Sequence, residues 1–134
     1  MKPGWWLGWV IAFLVVSGCS VANPRDLAQT SISFTIENSR FTPQKWYVPS
    51  GEMIQLSVDN PGAKTHRLVI LKGSAVGETD PNVEQNQFYS VLVQIQHVEL
   101  SFQAPAMPGE YRLVCATDSH EIEGERGILV VVIP

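Results

Sequence analysis

Apolar and polar residues alternate along much of the chain after residue 30, and this two-residue period is the strongest constraint on the fold. In residues 31–37, 54–59 and 97–103, apolar side chains are interleaved with Ser, Thr, Gln, Glu, Asp or His. Such alternation is typical of β-strands that have one buried and one solvated face. Turn-forming sequences such as Asn60-Pro61-Gly62 and Pro108-Gly109 separate the alternating segments.

The rest of the chain is consistent with an all-β domain. Residues 127–133 are nearly all apolar and fit a strand within a packed sheet. Several short strands bounded by turns predict an antiparallel sandwich or barrel. Residues 73–87 are polar and lack periodicity, which predicts a long connection with room for one helical turn. A length of 134 residues favours a single domain.

The first 18 residues have the pattern of an export signal. Lys2 supplies a positive start, residues 5–16 are uncharged and apolar, and small residues follow. The apolar run is shorter than the roughly 20 residues that cross a bilayer comfortably. Residues 19–30 contain few bulky apolar side chains and are predicted to be a tether, so the folded domain is expected to span residues 31–134.

The end of this signal, Val16-Ser17-Gly18-Cys19, resembles the lipobox of bacterial lipoproteins. The resemblance implies cleavage before Cys19 and acylation of its sulfur. The protein would then be exported and held by lipid on the extracytoplasmic side of a membrane. An ordinary cleaved signal, or an uncleaved anchor in which Cys19 is incidental, is the alternative.

Composition excludes several functions. The net charge is -4 and the nine Lys and Arg residues do not cluster, which argues against a nucleic-acid partner. Two cysteines cannot form the disulfide framework of a small secreted domain. The chain has no nucleophile elbow and no glycine-rich phosphate loop, so we predict that it is not an enzyme.

Three side chains form a candidate metal-binding set. Cys115 follows a short apolar strand, His120 comes five positions later, and His66 lies where a loop enters a strand. One thiolate with two imidazoles is the donor set that suits copper in electron transfer. The alternatives are a buried cysteine that packs as a small hydrophobe, a solvated His120 and a polar His66 at a strand edge.

Two segments resemble the cupredoxin family, which includes plastocyanin and azurin. Residues 41–70 contain Phe-x-Pro, a Gly-Glu turn, an apolar strand, Asn60 and then a histidine, and residues 108–132 follow Pro-Gly-x-Tyr…Cys-x4-His…Gly-x-x-Gly. Residues 98–105 extend the likeness to most of the domain. The resemblance implies a Greek-key β-sandwich with one copper ion held by His66, Cys115 and His120.

The chain departs from the family pattern at the axial position. The family has a methionine about five residues after the second histidine, whereas this chain has Glu125. A carboxylate favours Cu(II) over Cu(I), so we expect a lowered reduction potential and a green or red protein rather than an intensely blue one. A glutamate there would also admit water or zinc. Alternatively, Glu125 points to solvent or pairs with Arg126 or Arg67.

Further polar residues have open roles. Asn60 either bonds across the ligand loop to hold Cys115 in place or is simply a turn residue. His97 falls on the solvated side of its strand and is interpreted as a surface residue. Four carboxylates crowd the C-terminal ligand loop; they form a solvated face, a docking patch for a basic redox partner or a means of concentrating copper. They are Asp118, Glu121, Glu123 and Glu125.

These features together predict a copper-binding, monomeric electron carrier that works outside the cytoplasm with a redox partner protein. One alternative is a copper-delivery lipoprotein that does not cycle between oxidation states. Another is a cupredoxin fold that serves as a metal-free binding module.

Overall fold

The computed structural model describes residue 18 and residues 21–38, 40–71, 87–94, 96–115 and 126–134. The described part contains a 3₁₀ helix, Pro24–Leu27, followed by nine β-strands in chain order. The strands are β1 Ser31–Glu37, β2 Arg40–Thr42, β3 Lys45–Pro49, β4 Met53–Asn60, β5 His66–Leu71, β6 Gln87–Val93, β7 Gln96–Gln103, β8 Gly109–Cys115 and β9 Arg126–Val132.

The strands form two sheets that pack face to face. The first sheet has the order β2-β1-β4-β7 and the second has the order β3-β9-β8-β5-β6. Two pairs, β1 with β4 and β3 with β9, are parallel, and the other neighbours are antiparallel. The chain passes from one sheet to the other several times, so strands that are consecutive in sequence often do not lie side by side. The predicted all-β, Greek-key sandwich is confirmed.

The alternating residues fill the space between the sheets. Phe34, Ile54 and Val58 are at most 3% exposed, while the polar residues between them face outward or are only partly covered. Burial of each such side chain contributes about 1.5–3 kcal/mol. The ring of Phe34 lies 5.0 Å from that of Trp46 and 5.1 Å from that of Phe41. The Trp46 indole donates a hydrogen bond to the carbonyl of Ser33 (3.2 Å), which links the two sheets.

Three strands were not assigned from the sequence. β2 is only three residues long, and in β3 Tyr47 stands between Trp46 and Val48, so neither segment alternates between apolar and polar residues over several positions, although Phe41, Trp46 and Val48 are buried. The edge strand β6 is mostly half-buried and its burial does not alternate. Gln87, placed in the long connection by its polarity, is instead the first residue of β6. The remainder of that connection, residues 73–86, lies outside the described residues.

The two ends of the sandwich are distinguished by where the strands begin and end. At the end that we call the His66 end, β5 begins with His66, while β4 and β8 finish with Asn60 and Cys115. At the opposite end, β4 begins with Met53, β8 begins with Gly109 and β9 finishes. Residues placed at one end of the sandwich are therefore separated from the other end by the length of a strand.

The residues preceding β1 are attached to the second sheet. The side chain of Asn23 caps the 3₁₀ helix by accepting a hydrogen bond from the Arg25 amide (3.1 Å). Further on, the Gln29 amide donates to the carbonyl of Tyr47 (2.9 Å). Residues 1–17, 19 and 20 lie outside the described residues, so the predicted signal cleavage site and Cys19 stay predictions. In the described part, no helix has the length and apolar character needed to span a bilayer.

Gly127 permits the close approach of β9 to Trp46. A Cβ atom at residue 127 would lie 2.4 Å from Cζ3 of the indole and 3.2 Å from the carbonyl oxygen of Gln44. These distances are shorter than van der Waals contact, so a side chain there requires the buried indole to move.

We therefore expect Gly127→Ala to lower the free energy of unfolding by about 1–3 kcal/mol, the usual cost of overpacking a core. Chemical denaturation measures this. The matched control is the same substitution in a Trp46→Leu background, where the indole is absent and the additional loss should be smaller. Equal losses in the two backgrounds would rule out the contact as the cause.

Candidate metal centre

The side chains of His66 and Cys115 meet at the His66 end of the sandwich. The sulfur of Cys115 lies 3.6 Å from Nδ1 of His66. Both groups are shielded from solvent, since Cys115 is 0% exposed and His66 is 5% exposed. Cys115 carries a thiol rather than half of a disulfide. A soft sulfur donor and an imidazole nitrogen thus face each other inside the protein, although 48 intervening residues separate them along the chain.

Strand register explains this meeting. β5 and β8 are antiparallel neighbours, and Cys115 pairs directly with Leu68. His66 is two residues before Leu68 and therefore shares its inward face. Two residues in diagonal positions on one face of a sheet are close enough for long side chains to touch. The sheet itself sets the separation of the sulfur and nitrogen atoms.

The separation fits a shared metal ion. Zinc, which takes the same donor types, makes bonds of about 2.0 Å to imidazole nitrogen and about 2.3 Å to thiolate sulfur. Two such bonds at tetrahedral or trigonal angles place their donors about 3.5–3.7 Å apart. The observed 3.6 Å lies within this range. The donor types, one thiolate and one imidazole, are those of a copper site.

Asn60, the last residue of β4, holds both the loop before His66 and the connection after β6. Its side chain is fully buried, and Nδ2 donates to the carbonyl of Lys64 (2.8 Å) and to that of Gln94 (3.1 Å). Lys64 is two residues before His66, so this bond fixes the path by which the chain reaches the candidate ligand. Asn60 is therefore more than a turn residue. A bond from Asn60 to the chain after Cys115 concerns residues outside the described ranges.

The other predicted ligands lie outside the described residues. These are His120 and Glu125; the acidic positions 118, 121 and 123, predicted as a surface patch, also lie outside the described residues. Within the described ranges, no group of three His, Cys, Asp or Glu side chains is placed to hold a metal ion. Arg67, considered as a partner for Glu125, donates to Ser90 (3.1 Å) and Gln87 (3.3 Å) on β6. The ligand roles of residues 66, 115, 120 and 125 stay predictions.

His97 lies on the outer face of the first sheet, as expected for a surface residue. Its Nδ1 is 2.6 Å from Oδ1 of Asp59, which is its direct partner on β4, and its Nε2 is 3.3 Å from Oε1 of Glu99. The pKa of His97 is raised above its ordinary value of 6.5. The hydrogen bond with Asp59 is the largest cause, and the hydrogen bond with Glu99 is the second. Alternation alone assigned His97 to this face, but the Asp59 partner depends on strand register.

A lateral groove of about 340 Å³ lies away from this centre. It is lined by β1, β3 and the segment before β1, including Leu27, Ile32 and Trp46. Neither His66 nor Cys115 lines it, so it takes no part in the metal centre.

Removal of the Asn60 side chain should destabilise the fold. We expect Asn60→Ala to lower the free energy of unfolding by about 1–3 kcal/mol, because two carbonyls lose their donor and a buried space is left. Denaturant titration measures the change. Gln55→Ala, which removes an exposed carboxamide from the same strand, should cost much less; comparable losses would contradict a specific role for the Asn60 bonds.

The His97 ring should titrate above pH 6.5, and an NMR pH titration of its ring protons tests this. Asp59→Asn should lower the midpoint more than Glu99→Gln, since the bond to Asp59 is the larger cause of the shift. The direction in which the free energy of unfolding changes with pH follows from the difference between the folded and unfolded pKa values. The stabilising contribution of His97 is complete below the pKa of the unfolded chain and is lost as pH rises through the raised pKa of the folded protein. A midpoint at or below 6.5 would contradict the assignment.

Known structures with the same fold include blue copper proteins. A reduced auracyanin from Roseiflexus castenholzii is 25% identical with a TM-score of 0.64, over 78% of this chain and 98% of the other. Auracyanin A of Chloroflexus aurantiacus, described as a blue copper protein, is 22% identical with a TM-score of 0.60, over 76% and 98% of the two chains.

A Cu(I) amicyanin variant is 17% identical with a TM-score of 0.51, over 81% and 89% of the two chains. No curated protein sequence matches significantly. The model of the family described as the cupredoxin-like domain matches residues 9–131, which is most of the chain. On the strength of this match, the two-sheet fold and the paired sulfur and imidazole, the chain belongs to the cupredoxin family.

Proposed function

We propose that this cupredoxin binds one copper ion and carries single electrons outside the cytoplasm. The observation that carries the proposal is the buried contact of 3.6 Å between the Cys115 sulfur and His66 Nδ1. When bound, copper supplies a one-electron couple between Cu(II) and Cu(I). His66 and Cys115 would be ligands, and His120, five residues after Cys115, would be the third.

The surroundings of these side chains suit an electron carrier. Electron transfer is fast when the donor atoms move little between oxidation states. His66 begins one strand and Cys115 ends its neighbour, and the two strands are hydrogen-bonded to each other. Asn60 fastens the preceding loop through Lys64. Burial also excludes water from the sulfur. The chain thus provides two donors whose separation is fixed before any ion binds.

Glu125 is proposed as a fourth, weaker donor. It occupies the sequence position at which the family has a methionine. A carboxylate oxygen is a harder donor than a thioether and stabilises Cu(II), which lowers the reduction potential. We expect green or red copper-loaded protein for this reason. A deep blue solution with one dominant orange-red absorption band would count against Glu125 as a ligand.

The similar structures support copper and electron transfer in general terms. Auracyanin A is a blue copper protein, the Roseiflexus auracyanin was studied in a dithionite-reduced form and the amicyanin variant in its Cu(I) form. We infer by analogy that this chain exchanges electrons with a redox partner protein. The carboxylates at positions 118, 121 and 123, close in sequence to His120, would favour a basic partner surface.

We also propose that the protein is an exported lipoprotein that is monomeric and held on the extracytoplasmic side through acylated Cys19. The support is the apolar run of residues 5–16 and the lipobox-like sequence that ends at Cys19. Each buried methylene of an acyl chain contributes about 0.8 kcal/mol to membrane binding, so multiple chains would hold the domain firmly.

The two cysteines provide a matched test of these roles. Cys115→Ser should remove the thiolate-to-copper absorption and lower the bound copper to a small fraction, because serine lacks the soft anionic sulfur. Cys19→Ser should leave the absorption spectrum unchanged while releasing the protein from membranes. Metal analysis and absorption spectroscopy of both variants measure this. Undiminished absorption after Cys115→Ser would refute the copper site.

Voltammetry separates an electron carrier from a copper-delivery protein. Reversible voltammetry with fast self-exchange is expected for a carrier. Weak, exchangeable copper with sluggish electron transfer would instead favour delivery, and a failure to take up copper would favour a metal-free binding module.

A further inference from the structure

Large apolar side chains are exposed at the end of the sandwich opposite His66. Seven large hydrophobic residues are exposed among those described, and two of them, Val21 and Leu27, precede β1. Of the other five, four lie at the opposite end, and Leu92 alone is nearer the His66 end, directly across from Arg67. The four are Met53 (55% exposed), Phe88 (39%), Met107 (75%) and Ile133 (55%).

Backbone contacts place three of these residues, Met53, Met107 and Ile133, in neighbouring segments. Gly51, two residues before Met53, donates to the Pro105 carbonyl (3.2 Å), which brings residues 51–53 next to the segment that contains Met107. Ser50 in the same turn donates to the Val132 carbonyl (2.8 Å), which places Ile133 beside it.

Tyr111 connects Phe88 to the same surface. Its hydroxyl donates to the Met107 carbonyl (2.8 Å), and its ring lies 6.3 Å from the ring of Phe88. We call the surface formed by Met53, Phe88, Met107 and Ile133 the apolar end.

Among the described residues, the charges that adjoin the apolar end are acidic. Glu52 adjoins Met53, and Glu110 adjoins Gly109 at the start of β8. Glu110 pairs with Lys45 at 3.4 Å, with both side chains about half exposed. In the part of the chain that the structure describes, no cluster of Lys or Arg lies beside these apolar side chains. This part of the surface therefore has no positive patch that would attract anionic lipid headgroups. Its chemistry favours an uncharged, apolar contact.

We propose that the apolar end lies against the membrane surface and that the metal centre therefore faces away from the membrane. This rests on the proposed lipid anchor, but not on copper binding. The occupant is a zwitterionic lipid bilayer, into whose headgroup boundary the exposed Met, Phe and Ile side chains insert. Methionine adapts to irregular apolar surroundings, which suits a surface that contacts lipid.

The position of the chain before β1 fits this orientation. β1 begins at the apolar end, since Ser31 pairs with Gln55 near the start of β4. From Asn23 to Gln29 the chain is folded and attached to β3, so the four residues from Cys19 to Ala22 span at most about 14 Å when extended. The predicted anchor would therefore hold the domain close to the bilayer. An eight-residue strand such as β4 is about 27 Å long, which separates the metal centre from the lipid.

The exposed methionines serve as built-in reporters. Peroxide converts an exposed thioether to the sulfoxide, and a sulfur within the headgroup boundary is out of its reach. The experiment uses the full acylated chain in phosphatidylcholine vesicles and measures sulfoxide formation at Met53 and Met107 by mass spectrometry. Leu92→Met provides the matched control, because residue 92 is 56% exposed and lies toward the His66 end. The same variant carrying Cys19→Ser, kept in buffer, gives the unanchored rates.

On vesicles, Met53 and Met107 should be oxidised about tenfold more slowly than the methionine at position 92, because only they are withdrawn from water. In buffer all three should react at comparable rates. Equal rates on vesicles would overturn the orientation. Protection in buffer that grows with protein concentration would assign the surface to a second copy of the chain instead. Failure of the acylated chain to float with vesicles would overturn the anchor and the orientation together, while leaving copper binding unaffected.

Discussion

The candidate metal centre depends on the diagonal arrangement of His66 and Cys115 on neighbouring antiparallel strands. Because Cys115 pairs with Leu68, a shift of one residue in this register would turn one of the two donors away from the other. The same register places Val69 opposite Val114, and both are fully buried. The hydrophobic contacts that stabilise the sheet thereby also fix the distance between sulfur and nitrogen.

Asn60 extends this constraint to the other sheet. It belongs to β4, yet its amide nitrogen bonds to the carbonyls of Lys64 and Gln94, which lie in connections between strands. One buried side chain therefore holds the start of β5 and the end of β6 in relation to β4. Such bonds contribute modestly to stability, but leaving their carbonyls unpaired inside the protein costs more than the bonds themselves contribute. The result is a preformed position for His66.

The sequence predicted those features that depend on local pattern. Alternation predicted β1, β4 and β7 and the outward face of His97, and the family resemblance predicted the sandwich. Spacing could not show that His66 approaches Cys115 through Leu68, or that Asn60 reaches Gln94, because both depend on which strands become neighbours. The partly exposed edge strand β6 was missed since its burial does not alternate. The sequence around Gly127 did not predict its close contact with Trp46, because the indole ring reaches it from another strand.

The parallel pairing of β3 with β9 has a consequence for biosynthesis. β9 lies between β3 and β8 in the second sheet, and Lys45 pairs with Ile128 near the end of the chain. Contacts between residues so distant in sequence form slowly, because a long loop must close first. The second sheet is complete only when the last strand has been made and has inserted between its two neighbours. A chain in which β9 has not yet been synthesised accordingly lacks the finished sandwich, and truncation within β9 would remove an interior strand of the second sheet rather than shorten an edge strand.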